Sequence, residues 1–367
     1  MYKKIILLAM AAALALSAAA QEAPARAEGY VYTDAATLPL FGKVSDGTSA
    51  RYERLPASLE GKIRTGLWNL GRNSAGLYVR FRTDAPSLRV RWTSLNSHYM
   101  NHMCPTGDRG LDVYVRVGKQ WRFLRSGRPS RGATTDTEII SDMEPLMREY
   151  MVYLSLYDGV TSLEVAVPEG YEVAQPEVSS PSPRKPVVMY GTSILQGGCV
   201  TRPGMVFTSI ISRRLDREVI NLGFSGNAKL DEEIAYWMAS VEDPGVFVLD
   251  NMPNGNPELT LEKEAVFFRI LRKAHPDVPV VFVENPNYPG MRFDAGREKY
   301  VLVRNEALHK VFDQLIAEGE KNIYLIGAME MLGEDNVGTI EGTHFTDIGF
   351  ASYANTLAPV LKVLLER

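Results

Sequence analysis

The apolar run Val187-Val188-Met189-Tyr190 ends abruptly in the small, polar sequence Gly191-Thr192-Ser193. A segment that is apolar at every position predicts a strand buried on both faces, as in parallel sheets covered by helices. Two glycines follow at 197 and 198, and the periodic stretch 205–215 then predicts a helix. Ser193 is therefore expected at the carboxyl edge of a parallel sheet, where open α/β folds bind ligands. The alternative is that Thr192 and Ser193 only cap the next helix.

The rest of the carboxyl-terminal half alternates apolar and amphipathic segments. Further strands are predicted at 219–222, 246–249, 279–283 and 323–326, and helices at 230–238, 259–274, 299–318 and 348–365. Strands that alternate with helices in this way predict a parallel sheet with helices on both faces. Residues 187–367 are therefore predicted to form an α/β domain.

The amino-terminal half, residues 21–178, is predicted to be a separate β-rich domain. The segments 77–82 and 88–92 alternate apolar with basic residues, and the pattern continues at 111–117, 150–156 and 162–167. Period-two segments separated by turns indicate a β-sandwich of jelly-roll type, with the basic side chains solvated. The serine- and proline-rich residues 179–186 are predicted to link the two domains.

Residues 1–20 have the pattern of a secretory signal, with two lysines, an apolar stretch and three alanines. We therefore predict an exported protein, periplasmic or extracellular, and no membrane insertion after the leader. The formal net charge of −4 becomes −6 once the leader's Lys3 and Lys4 are subtracted. A mildly acidic chain without a basic run argues against nucleic acid as a partner.

The two cysteines, Cys104 and Cys199, lie in different predicted domains. A disulfide and two free thiols both remain open, because sequence alone does not place the Cα atoms within bonding range. Cys104 belongs to the long loop 96–109, which also holds His98 and His102. Prolines and glycines argue against the helix that would align the two histidines, so we favour a loop bordering the active site over a metal site.

Polar residues follow the predicted strands of the α/β domain at 192–193, 223–227, 250–254 and 284–287. No phosphate-binding glycine motif follows the first strand.

A serine nucleophile needs a base, and His344 lies in a turn directly before the last helix, with Glu341 three positions earlier. From that turn His344 can reach the sheet edge while Glu341 accepts its Nδ1 proton. The alternative is that Glu341 and His344 only form a surface turn. It is disfavoured because the serine, glycine and asparagine turns precede this turn in chain order.

These segments resemble the four blocks of the SGNH (GDSL-type) hydrolases over residues 185–367. The matching residues are Ser193, Gly226, Asn254 and His344. In addition, Gly110-Leu111-Asp112-Val113-Tyr114 resembles the G-x-D-L-Y signature of a β-domain that precedes the catalytic domain in one bacterial branch. The resemblance implies a flavodoxin-like, three-layer α/β domain preceded by a jelly-roll-like β-sandwich.

The resemblance also implies a mechanism. Ser193 would attack an ester, His344 would carry the proton, and Glu341 would orient the histidine. The backbone N–H groups of Ser193 and Gly226, with the Asn254 amide, would form the oxyanion hole. The expected protein is a secreted esterase that removes short acyl groups, most simply acetyl, from a carbohydrate or another small ester, and it needs no cofactor or metal.

This sequence departs from the family pattern in three blocks. Thr192 and Glu341 each stand where aspartate is usual, and the third block leaves Asn251 as a rival to Asn254. Asp250 or Glu284 could replace Glu341 as the third triad member. The departures motivate an alternative from another class, a catalytically inactive glycan-binding protein. Further candidate substrate contacts are Asn227, Asn251, Glu284, His98 and His102.

Overall fold

A computed structural model describes residues 23–97, 99–328, 332 and 337–367. The predicted leader and His98 lie outside the described residues. Within the described chain, two antiparallel sheets come first and one parallel sheet follows. The predicted fold class, a β-sandwich followed by an α/β unit, is confirmed.

Nine strands form the two antiparallel sheets. One sheet has the order β1-β9-β4-β7 and the other β2-β3-β8-β5-β6. Side chains from both sheets share one core, as in a sandwich. The strands are β1 (Tyr30–Asp34), β2 (Leu40–Phe41), β3 (Tyr78–Thr83), β4 (Leu88–Ser94), β5 (Leu111–Val117), β6 (Gln120–Gly127), β7 (Thr134–Ile140), β8 (Arg148–Tyr153) and β9 (Val160–Pro168).

Strand β4 shows how the alternating pattern is used. Its apolar residues, which include Trp92, are buried, while Arg89 and Arg91 are half-buried on the opposite face. Both arginines pair with Asp136 on β7, at 3.1 and 3.3 Å. The expectation of simply solvated basic side chains is therefore wrong here, because a cross-strand acid partners them.

The parallel sheet has the order β11-β10-β12-β13-β14, so the first strand lies between the second and the third. Alternate residues of β10 face two different cores, Val187 and Met189 on one side and Val188 and Tyr190 on the other. This explains the continuous apolar run, since both faces are covered. The strands are β10 (Ser182–Gly191), β11 (Arg217–Gly223), β12 (Val246–Asp250), β13 (Val280–Val283) and β14 (Ile323–Ile326).

Eight α-helices occur among the described residues, two of them in the β-rich half. They are α1 (Thr65–Gly71), α2 (Pro105–Asp108), α3 (Ser193–Gln196), α4 (Phe207–Leu215), α5 (Glu232–Ala239), α6 (Pro257–Ala274), α7 (Ala295–Ala317) and α8 (Asp347–Leu365). The one-turn helix α2 starts at a proline, which fits the first helical position because its missing N–H is not needed there.

Helix α8 is long and apolar enough to cross a bilayer by length and composition, although the sequence predicts no membrane insertion after the leader. Its residues Phe350, Tyr353, Leu357 and Leu361 are buried in the core beside the sheet. The core helix of a globular domain passes the same test, so the apolar composition is explained by packing.

Strand β10 begins at Ser182, inside the stretch predicted as a linker. Ser180 is buried, its hydroxyl accepts from the Trp121 indole at 3.2 Å, and its carbonyl accepts from Arg80. Contacts with the β-rich half therefore bury Ser180, whereas residues 183–185 are exposed.

The β-rich half also supports the edge of the parallel sheet through Arg54. This side chain is buried, and its guanidinium donates to the carbonyls of Asn221 and Gly223 on β11, at 3.2 and 2.8 Å. It also lies 4.9 Å from the centroid of the Phe224 ring. Burial lowers the pKa of Arg54 to about 9 because the cation has little access to water. The carbonyl oxygens replace that water as hydrogen-bond acceptors and stabilise the charge. The turn after β11 is thereby anchored.

Candidate active site

Ser193 is the first residue of α3 and follows β10 after one intervening residue. That residue, Thr192, caps the helix, since its hydroxyl accepts from the backbone N–H of Ile194 at 3.3 Å. Gly191 closes the strand, and a Cβ there would lie 2.5 Å from the Asp250 carbonyl oxygen. The capping role thus belongs to Thr192, and the Ser193 hydroxyl is available to another partner.

That partner is His344, whose Nε2 lies 2.9 Å from Ser193 Oγ. The Nδ1 atom of His344 lies 2.9 Å from Glu341 Oε1, which also accepts the backbone N–H of His344 at 2.9 Å. With its proton on Nδ1, the imidazole presents a lone pair at Nε2 to the serine hydroxyl. The structure therefore brings the three predicted triad residues into one hydrogen-bonded line.

The two other acids considered for the third position lie elsewhere. Asp250 is buried and accepts from the Tyr353 hydroxyl at 2.8 Å, and burial raises the pKa of its carboxyl to about 8. Glu284 bonds His309 and accepts the backbone N–H of Ala328 at 2.8 Å. Among the described residues, neither acid has a hydrogen bond to His344, whereas Glu341 has two.

The second and third family blocks lie beside Ser193. Gly226 follows β11 with a φ of +65°, which a residue with a side chain rarely adopts, and a Cβ there would meet no atom within 4 Å. Asn254 ends a 3-10 helix after β12, and its side-chain oxygen accepts from the Ala228 N–H at 3.3 Å, which leaves Nδ2 to donate. Because β11, β10 and β12 are neighbours, their ends bring Gly226, Ser193 and Asn254 to one cavity.

Two further candidates, Asn251 and Asn227, do not line this cavity. Asn251 is buried and its Nδ2 donates to Glu264 Oε2 at 2.9 Å. The side-chain oxygen of Asn227 accepts from Arg64 at 2.5 Å, and its Nδ2 donates to the Ser225 carbonyl at 2.9 Å. Both amides hold the turns in place, so Asn254 is the side-chain amide that faces the cavity.

The cavity has a volume of 680 Å³. Besides the catalytic candidates its walls include Ile194, Tyr288, Tyr300, Asp294 and Arg297. The Arg297 guanidinium lies 4.6 Å from the centroid of the Tyr288 ring and donates to the hydroxyl of Thr343 at 2.8 Å. A second hydrogen bond reaches the Gly342 carbonyl. Arg297 therefore ties helix α7 to the loop that carries Glu341 and His344.

The β-rich half reaches the site through two segments. The Tyr157 hydroxyl donates to the Ser193 carbonyl at 3.1 Å. His102, in the loop 96–109, has its ring centroid 5.7 Å from that of His344. The loop thus borders the active site, as the sequence led us to expect.

Both cysteines are free, with Cys104 exposed and Cys199 buried. The Cys199 thiol lies 4.0 Å from Glu341 Oε2. Burial, together with the negative charge of Glu341, raises the pKa of this thiol to about 12. Cys199 is therefore protonated at neutral pH and is not a nucleophile there.

The Gly110–Tyr114 signature fastens the segment that follows helix α3. Asp112 is fully buried and accepts from the Arg202 guanidinium at 2.7 Å and from the Gly204 N–H at 2.9 Å. A Cβ at Gly204 would lie 2.4 Å from the Tyr114 hydroxyl oxygen. The signature is therefore a docking contact between the two halves of the chain.

Sequence reasoning missed three residues that position the site, Gln196, Tyr157 and Arg297. Gln196 is buried, donates to the Leu156 carbonyl at 3.1 Å and accepts from the Ser225 N–H at 2.9 Å. All three act on segments far away in sequence, which no local pattern reveals. The one available signal is that Gln196 stands a single helical turn after Ser193.

Comparisons with known proteins agree with this geometry. A family model described as the GDSL-like Lipase/Acylhydrolase family matches residues 184–362, and one described as the N-terminus of Esterase_SGNH_hydro-type matches residues 30–173. A crystal structure from Bacteroides ovatus ATCC 8483, described as that of a GDSL-like lipase, is 30% identical, with a TM-score of 0.87. The alignment covers 92% of this chain and 98% of that one. The chain belongs to the GDSL-like lipase/acylhydrolase family.

This GDSL-family chain is an ester hydrolase, and its amino-terminal half carries the predicted G-x-D-L-Y module. Two other structures share the fold at lower identity. Salicylyl-acyltransferase SsfX3 from a tetracycline biosynthetic pathway is 19% identical, with a TM-score of 0.73 over 93% of this chain and 100% of that one. A family two carbohydrate esterase from Cellvibrio japonicus is 12% identical, with a TM-score of 0.54 over 80% and 90%. No curated protein matches the chain.

Proposed function

We propose that this protein is an exported serine esterase that removes short acyl groups, acetyl foremost, from carbohydrate hydroxyls. The observation that carries the proposal is the line from Ser193 Oγ through His344 to Glu341, with 2.9 Å at each step. A serine with a positioned base and an acid behind that base is the arrangement needed for nucleophilic acyl transfer.

In the proposed reaction, Ser193 Oγ attacks the ester carbonyl while His344 Nε2 takes the hydroxyl proton. The N–H groups of Ser193 and Gly226 and the Asn254 amide hold the oxyanion. Collapse of the tetrahedral intermediate expels the sugar alkoxide, which receives the proton from His344. Water then attacks the acyl-serine with His344 again as base, which releases the carboxylic acid and restores Ser193.

The cavity supports a short acyl group on a polar alcohol. Tyr288 and Tyr300 offer aromatic faces to the 680 Å³ cavity, and Asp294 and Arg297 offer charge and hydrogen bonds to it. Such mixed walls suit a sugar ring better than a long acyl chain, which needs a continuous apolar surface. Export is proposed from the signal-like residues 1–20. The carbohydrate esterase of Cellvibrio japonicus shares the fold.

The test compares the mature chain with Ser193→Ala on p-nitrophenyl acetate and on acetylated xylan or pectin, measuring released acetate. Ser240→Ala is the matched control, because Ser240 is an exposed serine whose hydroxyl bonds only the Trp237 carbonyl among the described residues. We expect Ser193→Ala to lose turnover and Ser240→Ala to keep it.

A mature chain that turns over neither the reporter nor the glycans, but binds them saturably, would favour the inactive glycan-binding alternative. Activity on the reporter alone would keep the serine mechanism and reject the carbohydrate substrate.

A further inference from the structure

Three side chains of metal-binding type meet beside the candidate active site. His102, Cys199 and His344 each place one donor atom within 4.8 Å of the donors of the other two. The two histidines are half-buried and the thiol is buried. His102 comes from the β-rich half, whereas Cys199 follows helix α3 and His344 precedes helix α8. Tertiary structure alone brings them together.

We propose that His102, Cys199 and His344 bind a zinc-like transition-metal ion, and that the bound ion switches the hydrolase off. The binding stands on this cluster alone. The inhibition rests on the proposed function, because it requires His344 to be the catalytic base.

The donor set selects the ion class. The ion would displace the Cys199 thiol proton to the solvent and bind the resulting thiolate. Two imidazoles and a thiolate favour Zn²⁺ or Cu ions over Mg²⁺ and Ca²⁺, which prefer oxygen ligands. Bond lengths of about 2.0–2.1 Å to nitrogen and 2.3 Å to sulfur place two donors of a tetrahedral ion roughly 3.5 Å apart. The donor atoms now lie within 4.8 Å of one another, so side-chain rotations that bring them about 1 Å closer reach that separation. Glu341 Oε2 lies 4.0 Å from Cys199 Sγ, so this carboxylate borders the cluster.

Metal binding and catalysis exclude each other because both ring nitrogens of His344 are already used. Nε2 accepts from Ser193 and Nδ1 donates to Glu341. An ion at Nε2 removes the base from the serine, and an ion at Nδ1 removes the orienting acid. Whichever nitrogen binds, the line from Ser193 to Glu341 is broken.

The binding is tested with Co²⁺ as a spectroscopic probe, titrated into reduced Ser193→Ala protein. We expect a thiolate-to-cobalt charge-transfer band that saturates at one equivalent. Adding Cys199→Ser should abolish the band, whereas adding Cys104→Ser, which alters the other, exposed thiol, should leave it unchanged. Absence of the band, or its loss with Cys104→Ser alone, overturns the site. This arm needs no enzymatic turnover.

The inhibition is tested with Zn²⁺ on protein stripped by EDTA, each variant being scaled to its own metal-free rate. We expect inhibition of the wild type and a rise in the inhibition constant of at least about tenfold in His102→Ala, since a ligand has been removed. His309→Ala is the matched control, because His309 is an exposed histidine that pairs with Glu284 outside the cluster. Equal inhibition of His102→Ala and wild type overturns the switch.

Thermal unfolding of each variant checks that the fold is kept. If the metal-free wild type hydrolyses no ester, the proposed function fails while the cobalt titration still decides the site.

Discussion

Replacing Glu341 with glutamine isolates the acid's role in orienting His344. Glu341 Oε1 accepts both the ring Nδ1–H and the backbone N–H of His344, each at 2.9 Å. In Glu341→Gln the side-chain oxygen can keep a backbone bond. However, the amide has no charge to stabilise the imidazolium that forms when Ser193 gives up its proton.

The exposure of Glu341 sets the size of the loss. A hydrogen bond to a charged group contributes roughly 1.5–3 kcal/mol, and about 1.4 kcal/mol corresponds to a tenfold change in rate. The Glu341 side chain is 41% exposed, so water screens its charge and replaces part of its effect. Without screening, this range corresponds to a fall in kcat of roughly 10- to 150-fold. We therefore expect a fall of about tenfold, at the lower end of that range and far below the ~10⁴-fold loss on altering a buried triad aspartate.

The assay is kcat for p-nitrophenyl acetate, with Asp250→Asn and Glu284→Gln as matched controls that replace the carboxyl groups of the two rival acids with amides. An asparagine at 250 can still accept from the Tyr353 hydroxyl, which now bonds Asp250 Oδ1. We expect both controls to stay within about threefold of wild type. Thermal unfolding of each variant separates a catalytic loss from a folding defect.

Two results would refute the reasoning. One is a Glu341→Gln enzyme with kcat within about threefold of wild type, which would mean that the acid does not orient the base. The other is an Asp250→Asn or Glu284→Gln enzyme that loses as much as Glu341→Gln while keeping its thermal stability.

Three further outcomes follow from single contacts. Asn254→Ala should lower kcat by about a hundred- to a thousandfold through loss of an oxyanion donor, and near-normal turnover would argue against that role. Burial raises the pKa of Glu264 from 4.5 to about 7. Between these two pKa values the folded protein holds a proton that the unfolded chain releases, so the free energy of unfolding falls by roughly 3 kcal/mol as the pH rises from 4.5 to 7. Glu264→Gln keeps an acceptor for Asn251 and should remove this share of the fall, measured by urea unfolding at pH 4 and pH 8; an unchanged pH dependence would contradict it. Asp112→Ala should cost roughly 3 kcal/mol of unfolding free energy because it strips the partner from Arg202, and a loss below about 1 kcal/mol would reject that account.

Local sequence patterns predicted most of the elements that build the parallel sheet. The apolar run at 187–190 and the amphipathic stretch at 348–365 carry their periodicity within a few turns of chain, so burial can be read without knowing the partners. Boundaries were less accurate, since β10 begins at Ser182 and not at Val187. The basic residues of β4 were misjudged because their partner, Asp136, lies far away in sequence. The burial of Ser180 beside Trp121 was missed for the same reason.

The sequence by itself determined a β-rich half followed by an α/β half, the family, and the short set of residues from which a serine mechanism can be built. Hydrophobic periodicity and the order of glycine, serine, asparagine and histidine turns are local properties, so they survive without coordinates. Only the tertiary structure placed Glu341, and not Asp250 or Glu284, against His344, and only it brought His102 and Cys199 to the same imidazole. The exclusion of Asp250 and Glu284 and the meeting of His102 with Cys199 depend on distances between residues that are remote in sequence, which are fixed by packing across the domains.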